Sequence, residues 1–173
     1  MINLLLNRIY RSIKIDPGVF DEVQKDKNAT ISAGIVVILS SVAAGVGASH
    51  LGAVNFFLAP VLSLVTWFIW AYIIYFVGVK LIPDSRTKTT HKALLRSIGF
   101  SSAPGMIRIL GFNEDLMTVM FVGSAFWMLA CMVVAVKQTL NYKSLWKALG
   151  VVIIAWFAQA FLLIIILTLT RNF

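Results

Sequence analysis

Four long apolar runs, at about residues 31–49, 56–81, 116–136 and 148–169, decide what this chain can fold into. A hydrocarbon core of ~30 Å takes ~20 apolar residues per helix, and each run is long enough to cross it. Backbone polar groups in lipid must bond within their own segment, so the runs are read as helices. With 60% of its 173 residues hydrophobic and 13% charged, the chain carries more apolar surface than a soluble core hides. The expected fold class is an all-α integral membrane protein, one membrane domain over residues 1–173.

Residues 93–111 are harder to place, because they hold Arg96, Arg108, Ser101, Ser102 and Pro104. The basic residues decide it. If the segment crosses, one side of the membrane holds Arg8, Arg11, Lys14, Lys25, Lys27, Lys80, Arg86, Lys88, Lys92, Arg96, Lys137, Lys143 and Lys147, which is 13 of the 15 Lys and Arg. The other side keeps Arg108 and Arg171, beside the loop around His50 and the acidic turn Asn113-Glu114-Asp115. Positive charge then stays inside at every loop. The expectation is a five-span helical bundle, N-terminus cytoplasmic and C-terminus outside. At ~1.5 Å per residue the third span only just crosses, with Arg96 and Arg108 near enough to its ends to snorkel. Pro104 removes a helical hydrogen bond, so a kinked third span is expected, with Ser101 and Ser102 satisfying the freed carbonyls and Gly99 and Gly105 allowing close packing.

Residues 1–29 read as a cytoplasmic amphipathic segment. Ile2, Leu5, Leu6, Ile9 and Ile13 share one helical face, and Arg8, Arg11 and Lys14 lie on or beside the polar one. An interfacial helix on an anionic leaflet is the expectation. There is no basic region ahead of a long apolar stretch and no small-residue cleavage site, so a signal peptide is not expected. Asp16-Pro17 supplies a cap and a first-turn proline, placing a second short helix at about 17–25. Thr30 is expected to cap the first span.

Chemistry-bearing patterns are sparse. None of the seven acids falls inside a span, whereas proton relays and ion-coupled transporters place titratable groups there. His50 and His91 fall on opposite sides, each read as a solvated loop residue, so they cannot share a metal. No protease or hydrolase motif occurs. The expectation is no enzyme, no cofactor and no metal site. The +8 charge follows topology rather than a nucleic-acid footprint. Cys131 is the one cysteine and is read as a small buried hydrophobe. Small residues at four-residue spacing, Ser40/Ala44/Ala48 and Ser41/Gly45/Ser49, suit close helix contact. A polar path through the bilayer has only Ser63, Thr66, Ser101, Ser102 and Gln159 to draw on.

The order of features resembles the Yip family of five-span membrane proteins, named for interaction with Ypt/Rab GTPases. The marks are the basic amphipathic start, the Pro-x-x-Phe-x-Glu segment carried by Pro17, Phe20 and Glu22, and Ala93-Leu94-Leu95-Arg96-Ser97-Ile98-Gly99-Phe100-Ser101-Ser102-Ala103-Pro104. The glycine pair that many members carry before the third span is absent, and so is a long soluble N-terminal region. The resemblance therefore implies a compact, prokaryotic-type relative in the cytoplasmic (inner) membrane, with no catalytic residues. Expected interaction residues are Pro17, Phe20, Glu22, Arg96, Gly99, Ser101, Pro104, Gly105 and Arg108, and expected lipid-interface residues are Leu5, Leu6, Arg8, Ile9, Arg11, Ile13 and Lys14. The expected partners are membrane lipids and other membrane proteins or a second copy, in an organising, trafficking-like or accessory role. A small permease or channel subunit and an accessory subunit of a larger membrane complex are the alternatives.

The division of basic residues yields a topology test. In a Cys131→Ser background, single cysteines at Asn113 and Ser144 are expected to react with impermeant thiol reagents from opposite sides. Reaction of both from one side removes the third span.

Overall fold

The structure, a computed structural model, describes residues 2–49 and 58–171. His50 and the first two residues of the expected second span, 56–57, lie outside that range. The described residues form helices joined by loops, with no strand among them: α1 (Ile2–Ile13), α2 (Pro17–Lys25), α3 (Ala29–Gly47), α4 (Leu58–Tyr75), α5 (His91–Ser101), α6 (Glu114–Thr139) and α7 (Leu145–Arg171). Among the described residues three helices fit membrane spans by length and hydropathy: Ala29–Gly47, Leu58–Leu81 and Glu114–Thr139. A further apolar stretch, Leu145–Phe161, opens the 27-residue α7.

Local chemistry sets three of the helix starts. The Asp16 carboxylate accepts from Gly18 N–H at 2.8 Å, with Pro17 in the first turn of α2. Thr90 accepts from Ala93 N–H at α5, and Asn113 from Leu116 N–H at α6, where Glu114 and Asp115 complement the dipole. α3 differs from the expectation. Its cap position is Asn28, without a side-chain bond, and Thr30 instead donates to the Lys27 carbonyl at 3.3 Å. Thr30 is already inside the first turn, where its hydroxyl reaches back rather than forward.

α4 ends in a π-helical turn, Phe76–Leu81. A π-turn strains the ordinary helical ladder, and here Tyr142 meets the strain. Its hydroxyl lies 2.7 Å from the Gly78 carbonyl and 2.6 Å from that of Ile82, while Lys147 Nζ donates to the Pro83 carbonyl at 2.7 Å. The α4–α5 and α6–α7 loops are thus fastened together at one end of the bundle.

The segment expected as one kinked span is built otherwise. The α-helix ends at Ser101, and the chain continues from Ala103 to Leu110 as a 3-10 helix with Pro104 in its first turn. The serines act as expected: Ser101 Oγ donates to the Ile98 carbonyl at 2.7 Å and Ser102 Oγ to that of Gly99 at 2.6 Å. Pro104 therefore opens a new helix type rather than bending an old one. At ~2.0 Å rise per residue against ~1.5 Å, the 3-10 stretch lengthens the reach of a short segment.

Every residue of α5 from Ala93 to Ser101 is buried, and α5 separates two cores. Leu94, Leu95 and Ile98 meet Ile74, Val136, Leu140 and Val151. Phe100 meets Phe20, Val23, Ala33, Val36 and Ala135. α3 can approach because glycines leave room, Gly47 on α3 itself and Gly99 and Gly105 on the facing segment. A Cβ at Gly99 would stand 2.8 Å from Ala33 Cβ and 3.1 Å from its carbonyl oxygen, and one at Gly105 would overlap Ser40 Oγ. Gly99→Ala is expected to destabilise the protein by about 1–3 kcal/mol through overpacking. Gly150→Ala, with nothing within 4 Å of the added carbon, is expected to be neutral or to stabilise by up to ~1 kcal/mol. Thermal unfolding in detergent checks both; equal effects would contradict the close approach.

Candidate functional site

Two places gather the polar side chains of this apolar chain: the seat of the N-terminal helices, and a cavity among the long ones. The first is an ionic latch. α1 turns back at Ile15, whose φ is 58°, so that Arg8 and Arg11 face α2. Arg8 Nε lies 2.8 Å from Glu22 Oε1 and its Nη2 2.8 Å from Asp26 Oδ2; Arg11 Nε lies 2.7 Å from Asp16 Oδ2 and its Nη1 2.7 Å from Glu22 Oε2. Arg96, on α5, donates through Nε to the Val23 carbonyl at 2.9 Å and through Nη2 to that of Gln24. It thereby caps the C-terminal end of α2, where a cation is favoured. The hydrogen bond from Arg11 pulls Asp16 below the ordinary carboxylate value, and that from Arg8 does the same for Asp26. Burial opposes ionisation of Glu22, but hydrogen bonds from Arg8 and Arg11 outweigh it and leave Glu22 lowered too.

Pro17, Phe20, Glu22 and Arg96 are thus parts of one joint: Pro17 starts α2, Phe20 is fully buried in the second core, Glu22 bridges both arginines, and Arg96 holds the far end. The expected lipid-interface residues divide. Leu6 and Lys14 are exposed, with Lys14 Nζ 4.4 Å from the centre of the exposed Tyr10 ring. Ile9 is buried in the second core, and Leu5 and Ile13 pack on it. Arg8 is buried and Arg11 half-buried, turned to carboxylates rather than outward. Trp127 Nε1 donates to the Ile13 carbonyl at 2.8 Å and Cys131 Sγ to that of Ser12 at 3.3 Å, so the end of α1 lies along α6. α1 is seated on the bundle, because Ile9 and its neighbours find a protein core and the arginines find acids, while Ile2, Leu4 and Leu6 stay exposed. His91 also differs from a solvated loop residue: it opens α5 with its ring edge-on to Phe68, at 5.0 Å, and Tyr72, at 5.7 Å.

The second place is a cavity of about 740 Å³ between α3, α4, α6, α7 and the 3-10 segment, within the common range for ligand sites. Of the five residues available for a polar path, Ser63, Thr66, Ser102 and Gln159 line it, joined by Ser40 and Ser41 from the small-residue ridges. Ser101 does not; it is fully buried and bonded to its own helix. Trp67, Trp70, Trp156, Met128 and Met132 supply much of the apolar wall. Two indoles are fixed: Trp67 Nε1 donates to the Leu95 carbonyl at 2.9 Å and Trp70 Nε1 to Met132 Sδ at 3.0 Å.

Arg108 also lines this cavity. Expected to snorkel, it turns inward: Nε donates to Ser124 Oγ at 2.7 Å, and the guanidinium lies 5.1 Å from the centre of the Phe121 ring. Ser124 is a site residue the sequence reading missed, since a lone serine in an apolar run carries no signal of its own. Gly99, Pro104 and Gly105 do not enter the cavity's wall but set the course of the segment that carries Ser102 and Arg108.

The same succession, from the end of α1 through the Pro-x-x-Phe-x-Glu joint, the proline-broken segment and into α7, is what a family model describing the Yip1 domain matches, over residues 13–167. The chain belongs to the Yip family. No curated protein and no solved structure gives a significant match. For this Yip-family chain the motif residues have a physical meaning, as the joint that fastens α2 to α5.

The latch predicts how stability varies with acidity. Because the folded-state values of Asp16, Glu22 and Asp26 lie below their unfolded ones, their contribution is complete above the ordinary carboxylate range of about pH 4 and is lost as pH falls through the lowered values. Glu22→Gln is expected to cost about 1–3 kcal/mol at neutral pH, since Arg8 is buried and loses a charged partner, and to flatten the acid limb of unfolding midpoint against pH. An unchanged midpoint and limb would contradict the latch.

Proposed function

We propose that this Yip-family protein does no chemistry of its own and works by holding lipid and neighbouring membrane proteins, as an organising or accessory component of the membrane. The observation that carries the reading is the cavity: a mostly apolar, aromatic wall with a few hydroxyls, one amide and one guanidinium suits an amphiphile that is held rather than transformed. Five spans with the N-terminus in the cytoplasm of a prokaryotic cell, and a partner chain or second copy against the exposed faces, belong to the same proposal. The exposed side chains of Phe126, Phe157 and Phe161 suit lipid or another helix equally well.

A second reading, a small permease or channel subunit, is favoured by one observation, the meeting of Ser63, Thr66, Ser102 and Gln159 around a single cavity. One experiment separates the two. Protein purified in mild detergent is expected to retain lipid in fixed ratio to the chain, while sealed proteoliposomes show no flux of ions or small polar solutes above protein-free vesicles. Reproducible flux with no retained lipid would overturn the proposal in favour of the second reading.

A further inference from the structure

We infer that the cavity seats one anionic phospholipid, its phosphate on Arg108 and an acyl chain along Trp67, Trp70 and Trp156. The inference rests on the lipid-holding reading above and names the class of lipid and the residue that selects it.

Arg108 is the reason. Its partner Ser124 is almost wholly buried and stands ten residues along α6 from Glu114, which is ~15 Å of helix. A long cationic side chain near the end of a span ordinarily reaches back to the interface, and a charge kept at depth is costly and marks function. A guanidinium offers five N–H donors, and here only Nε is used, by a neutral hydroxyl. The donors on the two terminal nitrogens make no hydrogen bond among the described residues, and no carboxylate there lies within 4.0 Å. Asp16, Glu22 and Asp26 serve Arg8 and Arg11, and Asp84 pairs with Lys147. A half-buried cation that lines a cavity with its terminal nitrogens lacking a partner wants an anion, and the guanidinium fork matches phosphate in two-point geometry.

The rest of the cavity specifies a lipid rather than a free anion. Beside its hydroxyls and the Gln159 amide, the wall is indole, thioether and aliphatic surface, which an acyl chain can cover and an inorganic ion cannot. Leu62 on α4 and Trp156 on α7 line the cavity and are yet more than half exposed. The opening is therefore lateral, between α4 and α7, on the face a bilayer covers. A tail entering there stays in hydrocarbon while its headgroup meets the arginine.

The test uses the full chain, delipidated in mild detergent, and follows the thermal unfolding midpoint on titration with phosphatidylglycerol, phosphatidylcholine, oleate or inorganic phosphate. Phosphatidylglycerol is expected to raise the midpoint saturably; phosphatidylcholine and inorganic phosphate are not. Arg108→Gln is expected to weaken the phosphatidylglycerol response about tenfold or more, and Arg108→Lys, which keeps the charge but loses the fork, by less. Ala44→Phe, which leaves Arg108 in place and fills the cavity, is expected to abolish the response. If Arg108→Gln fails to fold, the wild-type comparison and Ala44→Phe decide alone. Equal responses to phosphatidylglycerol and phosphatidylcholine, an equal response to inorganic phosphate, a stronger response to oleate, or an undiminished one in Ala44→Phe would each overturn the inference. Retained lipid without charge preference would leave the broader lipid-holding reading standing, whereas absence of retained lipid would remove both.

Discussion

The contact between α3 and the segment from His91 to Leu110 governs the rest of this structure. That segment carries two arginines, three serines and a proline, a composition that cannot face hydrocarbon, where each unsatisfied polar group costs several kcal/mol. It is tolerated because it is sheathed. The α5 part is buried from Ala93 to Ser101, the serine hydroxyls take the carbonyls of its last turn, and Ser97 Oγ accepts from Thr139 Oγ1 at 2.8 Å. Gly99 and Gly105 admit α3 at backbone distance, so the sheath closes by dispersion contact, the main attraction available between helices in lipid.

Both candidate sites follow from where that segment runs. At one end Arg96 emerges from α5 and fastens α2, so the N-terminal helices are held by an ion pair network on the polar side and by Phe20, Val23 and Ile9 on the apolar side. At the other end the change to 3-10 geometry carries Ser102 and Arg108 into the space between α3 and α6. A straight α-helix would turn the later residues through a different angle and direct Arg108 elsewhere. The proline-broken geometry thus serves to aim a side chain as well as to lengthen the reach of the segment.

What the sequence discloses depends on the range of the interaction responsible. Asp16 and Pro17 act on their own neighbours, and α2 begins and ends as expected from them. The break at Pro104 is legible for the same reason, but its product is not. The helix that follows is packed at Gly105 against Ser40 and Met128, which come from distant helices and leave no local mark in the sequence. Arg8 and Arg11 read as a surface face because the return of α1 onto α2 turns on the left-handed Ile15, a conformation a β-branched residue seldom advertises. Of the cavity's polar members, Ser63, Thr66, Ser102 and Gln159 are legible as candidates for a polar path, whereas Ser101 turns out to be buried in its own helix. Their convergence depends on how α3, α4 and α7 splay, which no local pattern encodes.

In the topology proposed above, residues 91–110 cross the bilayer inside a protein sheath rather than lying at its surface. Hydrogen–deuterium exchange of the full chain in lipid nanodiscs measures this directly, because exchange requires both water and an opened hydrogen bond. Amides from Ala93 to Gly105 are expected to exchange as slowly as those at the centres of α3 and α6. Exchange as fast as that of the loop at 84–89 would place the segment at the surface and contradict it.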